Sequence, residues 1–214
     1  MVRENQQPQN HGEAEETRQT ILRVAQQLFM QYGYRSVTTR QLADACGLTQ
    51  PALYHYFPDK QALYLAVVTE EIALVKAALE RIVRRSDVAP ELLKQVAIFL
   101  LSRIQYDLGI MLHDVRYEMS PGVRQQLDEQ FLNGFILPIA TIFEKGLHQG
   151  YLRRTEEGGL APVPAAYMFM NMLSYFARAP QRDVSVHSGP TTPAASADVL
   201  IHILLHGLSR SDST

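Results

Sequence analysis

The sequence predicts an all-α fold of about nine helices, and three observations carry that prediction. Apolar residues recur at helical spacing from Thr17 almost to the C-terminus. Helix-starting and helix-ending residues separate those stretches: Thr38 with Gln41, Thr49 with Pro51 and Ser120 with Pro121 as starts, Gly33 and Gly150 as stops. Period-two runs bounded by turn residues, the mark of strands, are absent, and the chain shows no internal repeat.

Residues 1–16 are mostly Gln, Asn and Glu without periodic apolar positions. Such a segment cannot bury enough surface to offset its ordering entropy, so a disordered tail is expected. An arm that touches nucleic acid is the sharper alternative. From Thr17, Ile21, Leu22, Ala25, Leu28, Phe29 and Tyr32 form one face of a first helix that ends at Gly33. Thr38 and Gln41 make a capping box for a short second helix ending at Cys46-Gly47. Thr49 caps a third, with Pro51 in its first turn where a missing N–H costs nothing. Pro58-Asp59 breaks it near Tyr56, and Asp59 can cap a long fourth helix from about Lys60 to Arg84. Its stripe is Leu63, Val67, Ile72, Val75, Leu79 and Ile82.

A fifth helix follows Ser86-Asp87 with Pro90 and runs to about Tyr106 or Leu108. A short sixth spans about Ile110 to Met119. Ser120-Pro121 opens a seventh, with Val123, Leu127, Phe131, Phe135, Ile139, Ile142 and Leu147 on one face, ending near Gly150. Pro162 to Pro164 precede an eighth, to about Ala179. Residues 180–197 are rich in Pro, Ser and Gly and are expected to be a mobile loop. The ninth covers about Ala197 to Leu208.

Composition bounds the function. The chain has 214 residues, 46% hydrophobic and 20% charged, which excludes wholesale disorder and permits a sizeable core. Twenty Lys and Arg stand against 22 Asp and Glu, a net charge of −2, so only a local basic patch can argue for nucleic acid. The one cysteine, Cys46, excludes an internal disulfide framework and a multi-cysteine zinc site. A structural role fits it better than redox sensing. The N-terminus carries no apolar stretch after Arg3 and does not resemble a signal peptide. Apolar runs such as Ala97 to Leu101 are far too short to span a bilayer. A cytoplasmic protein without a membrane partner is expected. Nucleophile-elbow, Walker, zinc-protease and dinucleotide motifs are all absent, so no catalytic residue is assigned and a non-enzyme is expected.

The informative stretch is Thr38 to Lys60, TTRQLADACGLTQPALYHYFPDK. Ala43 is small enough to let two short helices cross closely, and Gly47 suits the positive φ of a tight turn. Leu42, Leu48 and Leu53 fill the shared core. This is helix-turn-helix spacing, which lays the second helix in a major groove. Residues 17–62 hold five basic residues (Arg18, Arg23, Arg35, Arg40, Lys60) against Asp44 and Asp59. Gln50 can bond a base edge bidentately, Pro51 and Ala52 can meet a thymine methyl, and Arg40 can reach guanine or phosphate. Thr39, Tyr54, Tyr56 and Lys60 are donors suited to the DNA backbone. Tyr54, His55 and Tyr56 are consecutive on a seven-residue helix, so at least one is exposed for a partner.

Residues 17–68 resemble the N-terminal DNA-binding region of TetR/AcrR-type transcriptional regulators. The resemblance lies in Tyr32-Gly33-Tyr34, Thr38-Thr39 with Leu42-Ala43, Gly47-Leu48, and Leu53-Tyr54-His55-Tyr56-Phe57 followed by Lys60. After the 1–16 tail, it implies a helix-turn-helix headpiece over 17–62 and an effector-binding and dimerisation body over 63–214. It implies a homodimer through the last two helices, a near-palindromic double-stranded DNA operator and a small-molecule effector. A ligand-responsive regulator of transcription, a repressor by family inference, is the function expected. DNA contacts carry over to Thr39, Arg40, Gln50, Pro51, Ala52, Tyr54, His55, Tyr56 and Lys60. Tyr56 stands where His is frequent, and both can donate to phosphate. The alternative is an all-α small-molecule-binding or scaffold protein whose headpiece does not read DNA.

Outside the headpiece the pattern is weaker. Arg103, Tyr106, His113 and Tyr117 are polar candidates for an effector pocket, with Phe135, Met168, Met172 and Tyr175 as apolar ones. His202 and His206 stand i, i+4, a spacing that chelates metal on a helix. Neither Cys nor Glu joins them in the last helix, although Asp198 lies one turn before. A core or interface role is expected there, and no metal or other cofactor is assigned.

Overall fold

The computed structural model describes residues 7–85, 87–104, 117–178 and 192–207. Every regular element among them is helical, as the all-α expectation requires. In chain order these are α1 (Gln7–Ser36), α2 (Thr39–Ala45), α3 (Gln50–Tyr56), α4 (Lys60–Val83), α5 (Ala89–Ile104), α6 (Pro121–Phe131), α7 (Leu137–His148), α8 (Pro162–Arg178) and α9 (Pro193–His206). A π-helical turn, Leu132–Ile136, joins α6 to α7, and a short 3₁₀ turn, Thr155–Glu157, follows α7. The helix expected near 110–119 lies outside the described residues except for its end at Tyr117 and Glu118.

The chain forms two compact units. One holds residues 1–71 and 107–128, the other 72–106 and 129–214. In the first, α1 buries Ile21, Leu22, Ala25 and Phe29. Phe29, Tyr34 and Tyr64 pack edge-on or tilted, with centroids 5.1–5.9 Å apart. Leu63, Tyr64, Val67 and Val68 are buried as well. The first unit therefore extends through the N-terminal half of α4, beyond residue 62.

Gly33 takes φ 76°, which breaks the helical path at the expected position. At its other end α1 begins at Gln7, ten residues before the start expected at Thr17. Local pairing substitutes for a buried face here. Thr17 Oγ1 donates to the Glu13 carbonyl at 2.8 Å, Gln19 Nε2 donates to Glu15 Oε1 at 3.1 Å, and Arg18 stands 3.9 Å from Glu15. Such pairs contribute roughly 0.2–0.5 kcal/mol each.

In the second unit α5 packs against α7, α8 and α9, and α7 packs against α8. Leu92, Leu93, Val96, Leu100, Phe169 and Leu200 are buried at this centre. Polar ties flank it. Gln149 Oε1 accepts from the Ala89 N–H at 2.9 Å, and Lys94 bonds Asp198 at 2.6 Å, tying α5 to α9. That bond pushes the Lys94 ammonium above its ordinary range.

Two further differences have local causes. The helix placed at 121–150 is interrupted by the π turn, where the Leu137 N–H donates to the carbonyl of Leu132. Pro138 follows immediately. In unbroken α-helix its ring would press on the carbonyl one turn back, and the wider turn makes room. The loop expected over 180–197 lies partly outside the described residues, but 193–197 are helical. Thr192 caps α9 through its side chain, accepting from the Ala195 N–H at 3.2 Å, with Pro193 in the first turn. This is the same Ncap-Pro signature that opens α6.

Candidate nucleic-acid interface

The helix-turn-helix is built by its caps. Gln41 N–H donates to Thr38 Oγ1 at 3.2 Å, and Thr38 N–H donates back to Gln41 Oε1 at 2.9 Å. Both first-turn donors of α2 are thereby held. Leu42 and Ala43 are buried under it. At the turn the Leu48 N–H donates to the Ala43 carbonyl at 2.9 Å, and Gly47 takes φ 67°. A side chain at 47 would be strained in this left-handed conformation. Thr49 then caps α3, accepting from the Ala52 N–H at 3.4 Å. Leu53 and Phe57 pin α3 inward, each almost wholly buried.

What remains of α3 faces out. Pro51, Tyr54 and His55 are exposed, while Gln50, Ala52 and Tyr56 are half-buried. Tyr54 is 44% accessible, and its hydroxyl donates to Thr39 Oγ1 at 3.4 Å. That bond links the middle of α3 to the first residue of α2. The His55 and Tyr56 rings meet edge-on at 5.7 Å. Arg40 is 81% exposed and faces Asp44 at only 3.9 Å, a loose pair that leaves the guanidinium available. Eight of the nine expected contact residues therefore sit on α2 and α3 within one unit.

The ninth, Lys60, opens α4. Its ammonium donates to the carbonyls of Tyr34 and Val37, each at 2.9 Å, and stands 4.1 Å from the Tyr34 ring centroid. These bonds hold the start of α4 against the segment that precedes α2. Arg18, which the sequence reading did not single out, lies over Phe57 at 5.3 Å and stacks behind α3. Its helical spacing from Ile21 and Leu22 was the available signal. Cys46, half-buried beside the turn, has its thiol pushed above the usual range by burial, with Arg23 pulling it partly back.

The expected effector residues that the structure describes differ in burial. Phe135 is 1% exposed and stacks on Phe131 at 5.0 Å, a core position. Arg103, Tyr117 and Tyr175 are exposed, Met172 is half-buried, and Tyr106 and His113 lie outside the described residues. Met168 does line a cavity of about 590 Å³, with Phe143, Leu152, Arg153, Leu160 and Ile203 among the walls. Leu152 and Leu160 lie in a connector, and two isolated leucines there were the only sequence hint.

The first helices match the model of bacterial regulatory proteins of the tetR family over residues 21–67. The chain is 40% identical over 57 residues to the HTH-type transcriptional repressor AcnR of Corynebacterium efficiens, covering 27% of this chain and 30% of that relative. It thus spans under a third of AcnR's length. A longer match is to the HTH-type transcriptional regulator RutR of Escherichia coli, 31% identical over 155 residues, 72% of this chain and 69% of that one. The chain belongs to the TetR family. The fold of this TetR-family chain is also that of AibR, solved with isovaleryl coenzyme A and operator DNA. The TM-score is 0.67 at 19% identity, covering 88% of this chain and 98% of AibR. No described helix is long and apolar enough to cross a membrane.

Proposed function

We propose that this TetR-family chain is a ligand-responsive transcriptional repressor and not a catalyst. As a homodimer it holds a near-palindromic operator and releases it on binding a small molecule. The observation that carries the reading is the outward display of α3 by a doubly capped α2, with Leu53 and Phe57 turned in and Tyr54 and His55 turned out. In a major groove Gln50 reads a base edge, while Pro51 and Ala52 meet thymine methyls. Thr39, Arg40, Tyr54, His55 and Tyr56 hold the phosphates and fix the register. Lys60, at the start of α4, is the ninth contact of this reading and also ties the headpiece together.

Pairing through the last two helices is supported by their outward apolar residues. Val163, Tyr167 and Tyr175 on α8 and Val199 on α9 are exposed. A two-fold related copy would cover them. The cavity beside Met168 has the size of a small-molecule site and is a candidate place for the effector. An effector acts by binding one conformer more tightly than the other.

The test is fluorescence anisotropy with labelled DNA from upstream of the chain's own coding region, for the native chain and for Arg40→Ala and Tyr54→Ala. Saturable binding that both variants weaken, at unchanged melting temperature, supports the reading. No binding above a scrambled duplex would leave an all-α ligand-binding or scaffold protein instead.

A further inference from the structure

His202 and His206 stand on the outer side of α9, both exposed, with ring centroids 5.0 Å apart. They are not core residues. His206 also borders the cavity beside Met168. Asp198, one turn before His202 on the same face of the helix, is bonded to Lys94 at 2.6 Å. A cationic His in the last turn favours the helix dipole, which accounts for His206 but not for His202 a turn earlier.

The spacing itself is informative. An imidazole nitrogen binds zinc at about 2.0–2.1 Å, which puts the ring centroid roughly 3.2 Å from the ion. Two rings meeting at a tetrahedral angle then have centroids about 5 Å apart. The observed 5.0 Å matches that separation, which i, i+4 neighbours on a helix can reach without rearrangement. Two nitrogen ligands select zinc-class ions over calcium or magnesium, which take oxygen. They also fill only half of a tetrahedron. Among the described residues no group of three or more His, Cys, Asp or Glu is placed to hold a metal, so this chain alone does not supply the rest. Val199, exposed on the same helix three residues before His202, belongs to the surface assigned above to a second copy. If that copy sets the pair on its two-fold axis, a second histidine pair completes four ligands.

We propose that His202 and His206 form half of a zinc-class metal site, closed by the same pair of a second copy, and that the ion tightens the dimer. The proposal rests on the homodimer reading.

The experiment uses the full chain, free of any affinity tag, stripped with chelator and carrying Cys46→Ser so that the thiol takes no metal. Zinc binding is followed by calorimetry, coordination by the visible spectrum of cobalt(II), and association by sedimentation equilibrium with and without zinc. His202→Gln/His206→Gln is the comparison, with His202→Ala alone as a second variant and circular dichroism reporting that each is folded. The expected result is one zinc per two chains, an intense tetrahedral cobalt spectrum, and about tenfold tighter dimerisation in zinc. The double variant should dimerise as the metal-free chain does and lose all three responses. A native chain that dimerises but binds no zinc overturns the metal site and leaves the homodimer standing. One zinc per chain without effect on association, or undiminished binding in the double variant, overturns it equally. A chain that stays monomeric with and without zinc overturns the homodimer and the shared site together.

Discussion

Lys60 donates to the main-chain carbonyl of Tyr34 at 2.9 Å while its ammonium stands 4.1 Å from the centre of the same residue's ring. One side chain thus fastens the start of α4 to the segment just beyond the Gly33 break. Lys60→Met keeps the length and removes the donor. It leaves carbonyls of Tyr34 and Val37 without that partner, a loss of about 1–3 kcal/mol. Urea unfolding of the full chain should show the loss directly. A phosphate contact would behave otherwise, leaving stability intact and lowering the salt slope of DNA binding by about 1.

Arg40→Ala should give the opposite pattern. The guanidinium is largely solvated and its partner Asp44 is 3.9 Å away, so stability should stay within about 0.5 kcal/mol. Operator affinity should fall. A parallel drop on every sequence tested marks a phosphate contact, and a drop confined to one base pair marks a guanine contact.

How much of this was legible in the letters depends on how local the cause was. Thr38 with Gln41, Thr49 and Asp59 act within four residues, and the structure bonds each as the spacing predicts. Lys60 could not be read the same way, because its acceptors lie 23 and 26 residues back in the chain. The N-terminal extension of α1 escaped a search for apolar stripes because its ties are Glu, Gln, Thr and Arg. For effector residues, composition is the sequence's main guide. Composition places Phe135 in a pocket as readily as in the core, where packing puts it. Thr192-Pro193 was legible, and the Pro-Ser-Gly richness around it obscured the signal.

The α2 cap should be separable from recognition. Thr38→Ala removes the acceptor for the Gln41 N–H and should cost about 1 kcal/mol by thermal denaturation. Gly47→Ala strains a backbone at φ 67° and should cost a similar amount, about 1 kcal/mol, with Gly47→Asn recovering part of it. Equal stability in the Ala and native chains at 47 would contradict the left-handed turn.

Gly134 lies against Ile72 within the second unit, and an added methyl would overlap the Cγ2 of that side chain. Isoleucine is stiff at χ1, so relief must come from the helices. Gly134→Ala should destabilise by about 1–3 kcal/mol, and Ile72→Val combined with it should recover little because Val retains the branch.

Cys46 should react slowly. Burial holds its thiol above the ordinary range, so the reactive thiolate is scarcer near neutral pH than for an exposed cysteine. Iodoacetamide labelling followed by mass should be slower for the folded chain than for the chain in urea. The gap should narrow as pH rises and the folded thiol begins to ionise.

The turn at Leu132–Ile136 carries a surplus letter relative to a plain α-helix of equal rise. Each α-helical residue advances the azimuth by ~100°, so that surplus sets the bearing of everything from Pro138 to His148. A one-codon deletion inside the turn would cancel the surplus and leave Ile139, Ile142 and Phe143 pointing as they do now. The same deletion among residues 140 to 146 would swing the remainder of the helix out of alignment. The deletion inside the turn would keep the bearing but return Pro138 to unbroken α-helix, so the turn sets both the helix's heading and the room for its proline.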